Sequence, residues 1–171
     1  MYKALILDRD GVINADSPNY IRSLADWHPL PGSLEAIAAL SRAGYPIALA
    51  TNQAGIGRRL ICQSDLDAIH QRLMDDVEAL GGRIACIELC PHHPASQCNC
   101  RKPRPGMLHQ VARNLKVALA DCLFVGDSEK DHQAAQQVGC SFARITDAPG
   151  PDLRFPSLAA VAAYVLESDP Q

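Results

Sequence analysis

The chain has 171 residues, 47% of them apolar and 20% charged, with a formal net charge of -3 and a pI near 6.0. That length buries a core without needing disulfides or metal, and the apolar content excludes disorder beyond the tail. The acidic balance excludes a general attraction to nucleic acid or anionic lipid, so anion binding must come from a local group of cations.

The N-terminus, MYKALILDRDG, runs from one lysine into a short apolar stretch ended by charges. It has no signal-peptide core, and no segment approaches transmembrane length. The expected location is the cytoplasm, where the seven cysteines stay reduced and read as metal ligands or core fillers.

The first apolar run, KALILD, predicts a strand ending at Asp8. A helix over 33–43 and the strand PIALAT, ending at Thr51, come next. A helix over 64–80 leads to IACIELC, a strand ending at Cys90. A helix over 106–115 precedes CLFVGD, which ends at Asp127, and a helix over 129–138 precedes SFARIT, which ends at Thr146. The last helix spans 157–167. Ser64 and Ser157 read as N-caps, and Gly44, Gly81 and Gly139 as helix stops. No repeat, linker or low-complexity tract divides this series, so residues 1–171 read as a single domain.

Near-continuous apolar strands alternating with helices predict the α/β class, a doubly wound, Rossmann-like parallel sheet in three α/β/α layers. Ligands gather at the carboxyl ends of such strands. Asp8, Thr51, Cys90 and Asp127 all fall there, so polar and metal-binding chemistry converges on one rim.

A single strand-end aspartate reads equally well as an N-cap or turn residue. Here four features coincide: DRDG after the first strand, TN after the second, RKP after the third and GDSEKD after the fourth. Together they supply a carboxylate nucleophile, a second carboxylate for proton transfer, a hydroxyl and an ammonium for phosphate oxygens, and carboxylates for a cation. A phosphate monoester repels an anionic nucleophile, so its charge must be neutralised before attack. A magnesium ion is therefore expected at Asp8, Asp10 and Asp127, with a backbone carbonyl and waters completing its shell, and Lys102 on the other side. Asp8 would form an aspartyl-phosphate, with Asp10 as acid and then base.

These four motifs, in this order, resemble the haloacid dehalogenase superfamily of phosphatases over nearly the whole chain. The resemblance implies that Thr51 holds the phosphoryl group, that Asp127 is a magnesium ligand and that Asp131 supports the metal shell. Many members insert a cap domain after the first or second motif. This chain has no room for one, so the segment NADSPNYIRSLADWHPLPG and the loop over about 90–103 are expected to wall the pocket.

That loop, CPHHPASQCNCRKP, carries Cys90, His92, Cys98 and Cys100, three thiols and an imidazole that suit a closed tetrahedral zinc site. Such a site has no open position to activate water, so its role would be structural. A redox pair at Cys98 and Cys100, or unrelated reduced thiols, are the competing readings, and His93 could replace His92. Cys62, Cys86, Cys122 and Cys140 read as small core fillers.

Within the superfamily, DRDGVIN, TNQAGIGR and CPHH…CNCRKPRPGM are similar to the phosphatases of D-glycero-D-manno-heptose 1,7-bisphosphate, with histidinol-phosphate phosphatases as close relatives. This implies removal of the 7-phosphate on the way to lipopolysaccharide heptose or nucleotide-activated heptose, with either anomer open. It places Asp16, Ser17, Pro18, Asn19, Asn52, Gln53, Ala54 and Arg101 along the substrate path, Lys102 on the phosphoryl group and His92 among the zinc ligands. Two departures are visible: a zinc loop shorter than in some members, and Ser128 where some have lysine, which removes a cation and leaves open whether Lys130 replaces it. Arg101, Arg104 and Arg58 are candidates for a second phosphate, although Arg58 and Arg59 read equally well as solvated cations. The arginine excess disfavours histidinol phosphate, and the acidic balance disfavours a nucleic-acid end phosphatase. The presence of every catalytic side chain disfavours a non-catalytic, zinc-stabilised binding module. A monomer acting on a phosphorylated sugar, with no nucleic-acid or membrane partner, is the expected state.

Overall fold

The computed structural model describes residues 1–168. Six strands, β1 (Ala4–Leu7), β2 (Ile47–Asn52), β3 (Cys86–Cys90), β4 (Cys122–Gly126), β5 (Ser141–Ile145) and β6 (Leu153–Phe155), form one sheet. Its order is β3-β2-β1-β4-β5-β6 and every neighbouring pair is parallel. The helices are α1 (Ser33–Arg42), α2 (Ala54–Gly57), α3 (Gln63–Ala79), α4 (Gly106–Leu115), α5 (Glu129–Gln137) and α6 (Leu158–Ser168).

Alternation along the strands makes two cores. Leu5, Leu7, Leu49 and Val125 pack on one face against Ile37 and Leu40 of α1, Leu66, Ile69 and Leu73 of α3, and Val161 of α6. Ala4, Ile6, Ala50 and Phe124 face the other way, toward Met107, Leu108 and Val111 of α4 and Ala134 and Ala135 of α5. Both faces are covered, which is why the strands are apolar throughout. This is the doubly wound, three-layer α/β/α arrangement expected from the sequence.

Several local expectations differ. β6 has only three residues, all half-buried, too few for a periodic signal. The N-cap of α3 is Cys62, without a side-chain cap bond, and Ser64 lies inside the first turn. Cys62 is exposed rather than a core filler, and Cys86 is half-buried, whereas Cys122 and Cys140 are buried. Ser157 does cap α6, its hydroxyl accepting from the Ala160 N–H at 3.2 Å. The β1 to β2 connection holds only a 3-10 turn at Leu24–Asp26 and α1, and the β2 to β3 connection only α2 and α3. Neither has a cap. No helix among the described residues is long and apolar enough to cross a membrane.

The chain moves outward from β1 to β3 and then returns to β4 on the other side of β1. The carboxyl ends of β1 and β4 therefore form the switch point where open α/β sheets bind ligands. Gly126, the last residue of β4, makes that crevice tight: a Cβ there would stand 2.5 Å from Cβ and 2.7 Å from Cγ of Asp131. Gly126→Ala should therefore cost about 1–3 kcal/mol of stability and displace Asp131. Urea unfolding of the variant measures this, and an unchanged midpoint would contradict the packing described.

Candidate active site

Asp8 directly follows β1, and its backbone N–H donates to the Val125 carbonyl of β4 at 2.9 Å. Its Oδ1 meets the Lys102 Nζ at 2.9 Å, and the same ammonium meets Asp131 Oδ1 at 2.6 Å. Lys102 is buried, and so is Asp131. Asn52, at the end of β2, holds Lys102 by its backbone. Its Oδ1 accepts from the Lys102 N–H at 3.0 Å and its Nδ2 donates to the Lys102 carbonyl at 3.1 Å. The Lys102–Pro103 peptide is cis. Asp131 is fixed by the capping box of α5, in which the Ser128 hydroxyl accepts from the Asp131 N–H at 3.4 Å and Asp131 Oδ2 accepts from the Ser128 N–H at 3.1 Å, and the Ser128 hydroxyl also donates to Asp131 Oδ2 at 2.6 Å.

Asp127 follows β4 and packs on the DRDG turn. Gly11 has φ +81, and a Cβ there would lie 2.1 Å from Asp127 Oδ2, so the motif needs its glycine twice over. Burial pushes the Asp8 carboxyl up to about 7, against the pull of Lys102. Burial, aided by Asp131, pushes Asp127 up to about 6. Burial alone would lower the Lys102 ammonium, but Asp8 and Asp131 together hold it above its ordinary value. Asp8, Asp127 and Asp131 each offer an oxygen within 4.8 Å of the others. Hard oxygen donors with excess negative charge fit a hard divalent cation.

The Asp10 carboxylate lies outside that cluster, which differs from the expected donor set of Asp8, Asp10 and Asp127. It accepts from Arg9 Nε at 3.1 Å and Nη2 at 2.9 Å, from Asn14 Nδ2 at 2.9 Å and from Gln53 Nε2 at 2.9 Å. Arg9 is fully buried and has to find an anion. The same guanidinium reaches Gln53 Oε1 at 3.2 Å and His70 Nε2 at 3.2 Å. Because the guanidinium can only donate, His70 accepts and is neutral. Burial, followed by the Arg9 charge, lowers His70 to about 4. This network escaped the sequence reading. Its one sequence signal was a histidine four residues after Leu66, on the face of α3 that turns inward.

The cavity above Asp8 has a volume of about 330 Å³. Asp16, Ser17, Pro18, Asn52, Gln53 and Arg101 line it as expected, joined by Tyr20 and Ile21 of the segment expected to wall the pocket and by Lys130. Asn19 and Ala54 are not in its lining. The Asn19 carbonyl accepts from Arg22 Nε at 2.6 Å, and Ala54 is buried at the start of α2. Thr51 also lies outside the lining and is fully buried, its Oγ1 accepting from Gln53 Nε2 at 2.8 Å. Arg58 and Arg59 are exposed and outside the cavity, and Arg104 Nη1 donates to the carbonyls of Gln97 and Cys98.

Cys90, His92, Cys98 and Cys100 come together, their ligand atoms within 4.8 Å of one another. Cys90 Sγ is 3.6 Å from Cys98 Sγ and 3.2 Å from Cys100 Sγ, and His92 Nδ1 is 3.5 Å from Cys90 and 3.1 Å from Cys100. Tetrahedral zinc with sulfurs at about 2.3 Å sets them roughly 3.8 Å apart, close to this spacing. His93 is turned elsewhere, its Nδ1 accepting from the Ala95 N–H at 3.1 Å.

The model of the haloacid dehalogenase-like hydrolase family matches residues 18–139. The chain belongs to that family. It is also similar to proteins named D-glycero-beta-D-manno-heptose-1,7-bisphosphate 7-phosphatase. The one from Pseudomonas aeruginosa is 47% identical over 173 aligned positions, covering 95% of this chain and 97% of the relative. The one from Pseudomonas putida is 51% identical over 137 positions, covering 80% of this chain and 78% of the relative. Among solved structures, the D,D-heptose 1,7-bisphosphate phosphatase of B. bronchiseptica, complexed with magnesium and phosphate, superposes with a TM-score of 0.91. It has 41% identity and covers 97% of this chain and 99% of its own.

Above pH 6.5, His70 is neutral whether the chain is folded or not. As pH falls toward 4 the unfolded chain takes up a proton that the native site refuses, so stability is lost across this window. The full contribution is roughly 3 kcal/mol. His70→Gln should flatten the fall of unfolding free energy between pH 6.5 and 4, measured by denaturant titration, and an unaltered slope would reject this placement of His70.

Proposed function

We propose that this protein is a magnesium-dependent phosphatase that removes the 7-phosphate of D-glycero-D-manno-heptose 1,7-bisphosphate through an aspartyl-phosphate on Asp8. The observation that carries the reading is the Asp8 carboxylate at the switch point, 2.9 Å from the buried Lys102 ammonium and within 4.8 Å of Asp127 and Asp131. The similarity to phosphatases named for this substrate supports it. The two Pseudomonas relatives are named for the β anomer, which we take as the preferred form.

In this mechanism Asp8 attacks phosphorus as the bond to the sugar oxygen breaks, and Asp10 supplies the proton that the leaving alkoxide takes. Asp10, then a carboxylate, removes a proton from the water that attacks the aspartyl-phosphate, which restores Asp8 and releases phosphate. Lys102 holds phosphoryl oxygens, and Thr51 shapes the floor through Gln53. Asp8 and Asp127 would hold magnesium, with the Asp10 backbone carbonyl as a third donor, and Asp131 would act by holding Lys102. When bound, the ion neutralises charge on the phosphoryl oxygens.

We further propose that Cys90, His92, Cys98 and Cys100 hold a structural zinc ion that fixes the loop just before Arg101 and Lys102. Clustered thiols need a reducing compartment, so we place the protein in the cytoplasm. We take residues 1–171 as one phosphatase domain that acts as a monomer on a small phosphorylated sugar. The net charge of -3 favours neither a nucleic-acid nor a membrane partner.

Phosphate release measured on both anomers of the heptose bisphosphate and on histidinol phosphate tests the substrate. A preference for histidinol phosphate would overturn the reading. Asp8→Asn should lower turnover on the order of a thousandfold or more while leaving the fold and zinc content intact, and retained turnover would remove the aspartyl-phosphate. Elemental analysis should find one equivalent of zinc. Cys98→Ser should lose it together with about 5 °C or more of thermal midpoint, whereas a metal-free protein of full stability would refute the zinc site.

A further inference from the structure

The Asp10 carboxylate is gripped from behind and open in front. Arg9 Nε and Nη2 and Asn14 Nδ2 donate to its Oδ1, and Gln53 Nε2 donates to its Oδ2 at 2.9 Å. Arg9 Nη2 also reaches Gln53 Oε1 at 3.2 Å, which closes a ring of hydrogen bonds through Asp10, Arg9 and Gln53. The Asp10 side chain keeps 22% of its surface exposed, and Asp10 lines the catalytic cavity. Its uncovered edge therefore faces the substrate space.

This ring is only as fixed as Arg9. The guanidinium is fully buried, so each of its donors needs an acceptor from the protein. Nε and Nη2 are taken by Asp10 and Gln53, whereas Nη1 is met by His70 Nε2 at 3.2 Å. Among the buried residues of α3, His70 alone is polar; the others are Leu66, Ile69, Leu73 and Val77. Packing gives no reason for an imidazole on that face. As a neutral acceptor, His70 satisfies Arg9 without drawing off the charge that grips Asp10, which a carboxylate in its place would do.

We infer that His70 is a positioning residue for the phosphoryl transfer: by accepting from Arg9 Nη1 it holds the guanidinium in the orientation that aims the free edge of Asp10 at the leaving oxygen. This rests on the proposed role of Asp10 as acid and then base, and extends it to a side chain outside the cavity lining. Without an acceptor at position 70, Arg9 has to turn to satisfy Nη1, and Asp10 and Gln53 follow because both are bonded to it. The side chains of Asp8, Lys102 and Asp131 are bonded among themselves. The nucleophile and the phosphate grip therefore stay in place while the proton donor is misdirected.

Wild type, His70→Leu and His70→Gln should be compared on the heptose 1,7-bisphosphate and on p-nitrophenyl phosphate, whose leaving group departs without a proton. Leucine removes the acceptor while filling a similar volume, and glutamine returns an acceptor at similar reach. On the bisphosphate, kcat should fall about tenfold or more in His70→Leu with KM changed by less than about twofold, and recover to within about threefold in His70→Gln. First-turnover release of p-nitrophenol should change by less than about threefold in either variant. Equal losses on both substrates, no loss on either, or a glutamine variant no better than leucine would overturn the inference while leaving the phosphatase reading intact. Asp10→Asn is the control: if it turns over the bisphosphate at the wild-type rate, Asp10 is not the acid, and the positioning role falls with that mechanism.

Discussion

The structure depends on one buried charge arrangement: the Lys102 ammonium held between Asp8 and Asp131, at 2.9 and 2.6 Å. Ions inside a core are costly to desolvate, and the loss of one partner strands the others, typically at about 3–5 kcal/mol. The surrounding fold is built to prevent that. Asn52 grips the Lys102 backbone from the end of β2, Ser128 and the start of α5 grip Asp131, and the Val125 carbonyl holds the backbone of Asp8. Three parallel strands and one helix N-terminus must therefore be in register before the charges can meet.

The same arrangement is unbalanced in a way that suits its proposed chemistry. Asp8, Asp127 and Asp131 surround one ammonium, and the upward shifts of Asp8 to about 7 and Asp127 to about 6 express the excess. Such a site favours protons or a divalent cation over remaining bare. Because cation and protons compete for the same oxygens, cation binding and ionisation of Asp8 are linked. In the proposed mechanism the nucleophile would thus be uncovered by the same charge that prepares the phosphoryl group for attack.

Much of this was legible in the sequence because strand ends are legible. Short apolar runs broken by Asp8, Thr51, Cys90 and Asp127 marked the rim, and the loop cysteines marked a second cluster by donor type alone. Side-chain direction was not legible. Asp8 and Asp10 look interchangeable in DRDG, yet one faces Lys102 and the other faces Arg9, because a fully buried guanidinium competes for the nearer carboxylate. The partners of Arg9 lie 44 and 61 positions away at Gln53 and His70, and no local pattern connects them. Cys62 reads as apolar by composition, but it opens α3 at the surface.

Without a cap to close over the substrate, selectivity has to come from walls that are already rigid. On one side, Asp16 to Pro18 and Tyr20 form a short irregular wall, with Tyr20 held at φ +66. On the other, the segment carrying Arg101 follows directly on a four-donor cluster that a metal ion would lock. Ser128 fits this economy. As the N-cap of α5 it donates to Asp131 and so stabilises the partner of Lys102, a task that a longer cationic side chain there could not perform. The cation at this edge is instead carried two residues later, by Lys130, where it can face the cavity without disturbing the cap. Pocket charge and catalytic positioning are thereby assigned to different turns of one helix start, so each can vary without dismantling the other.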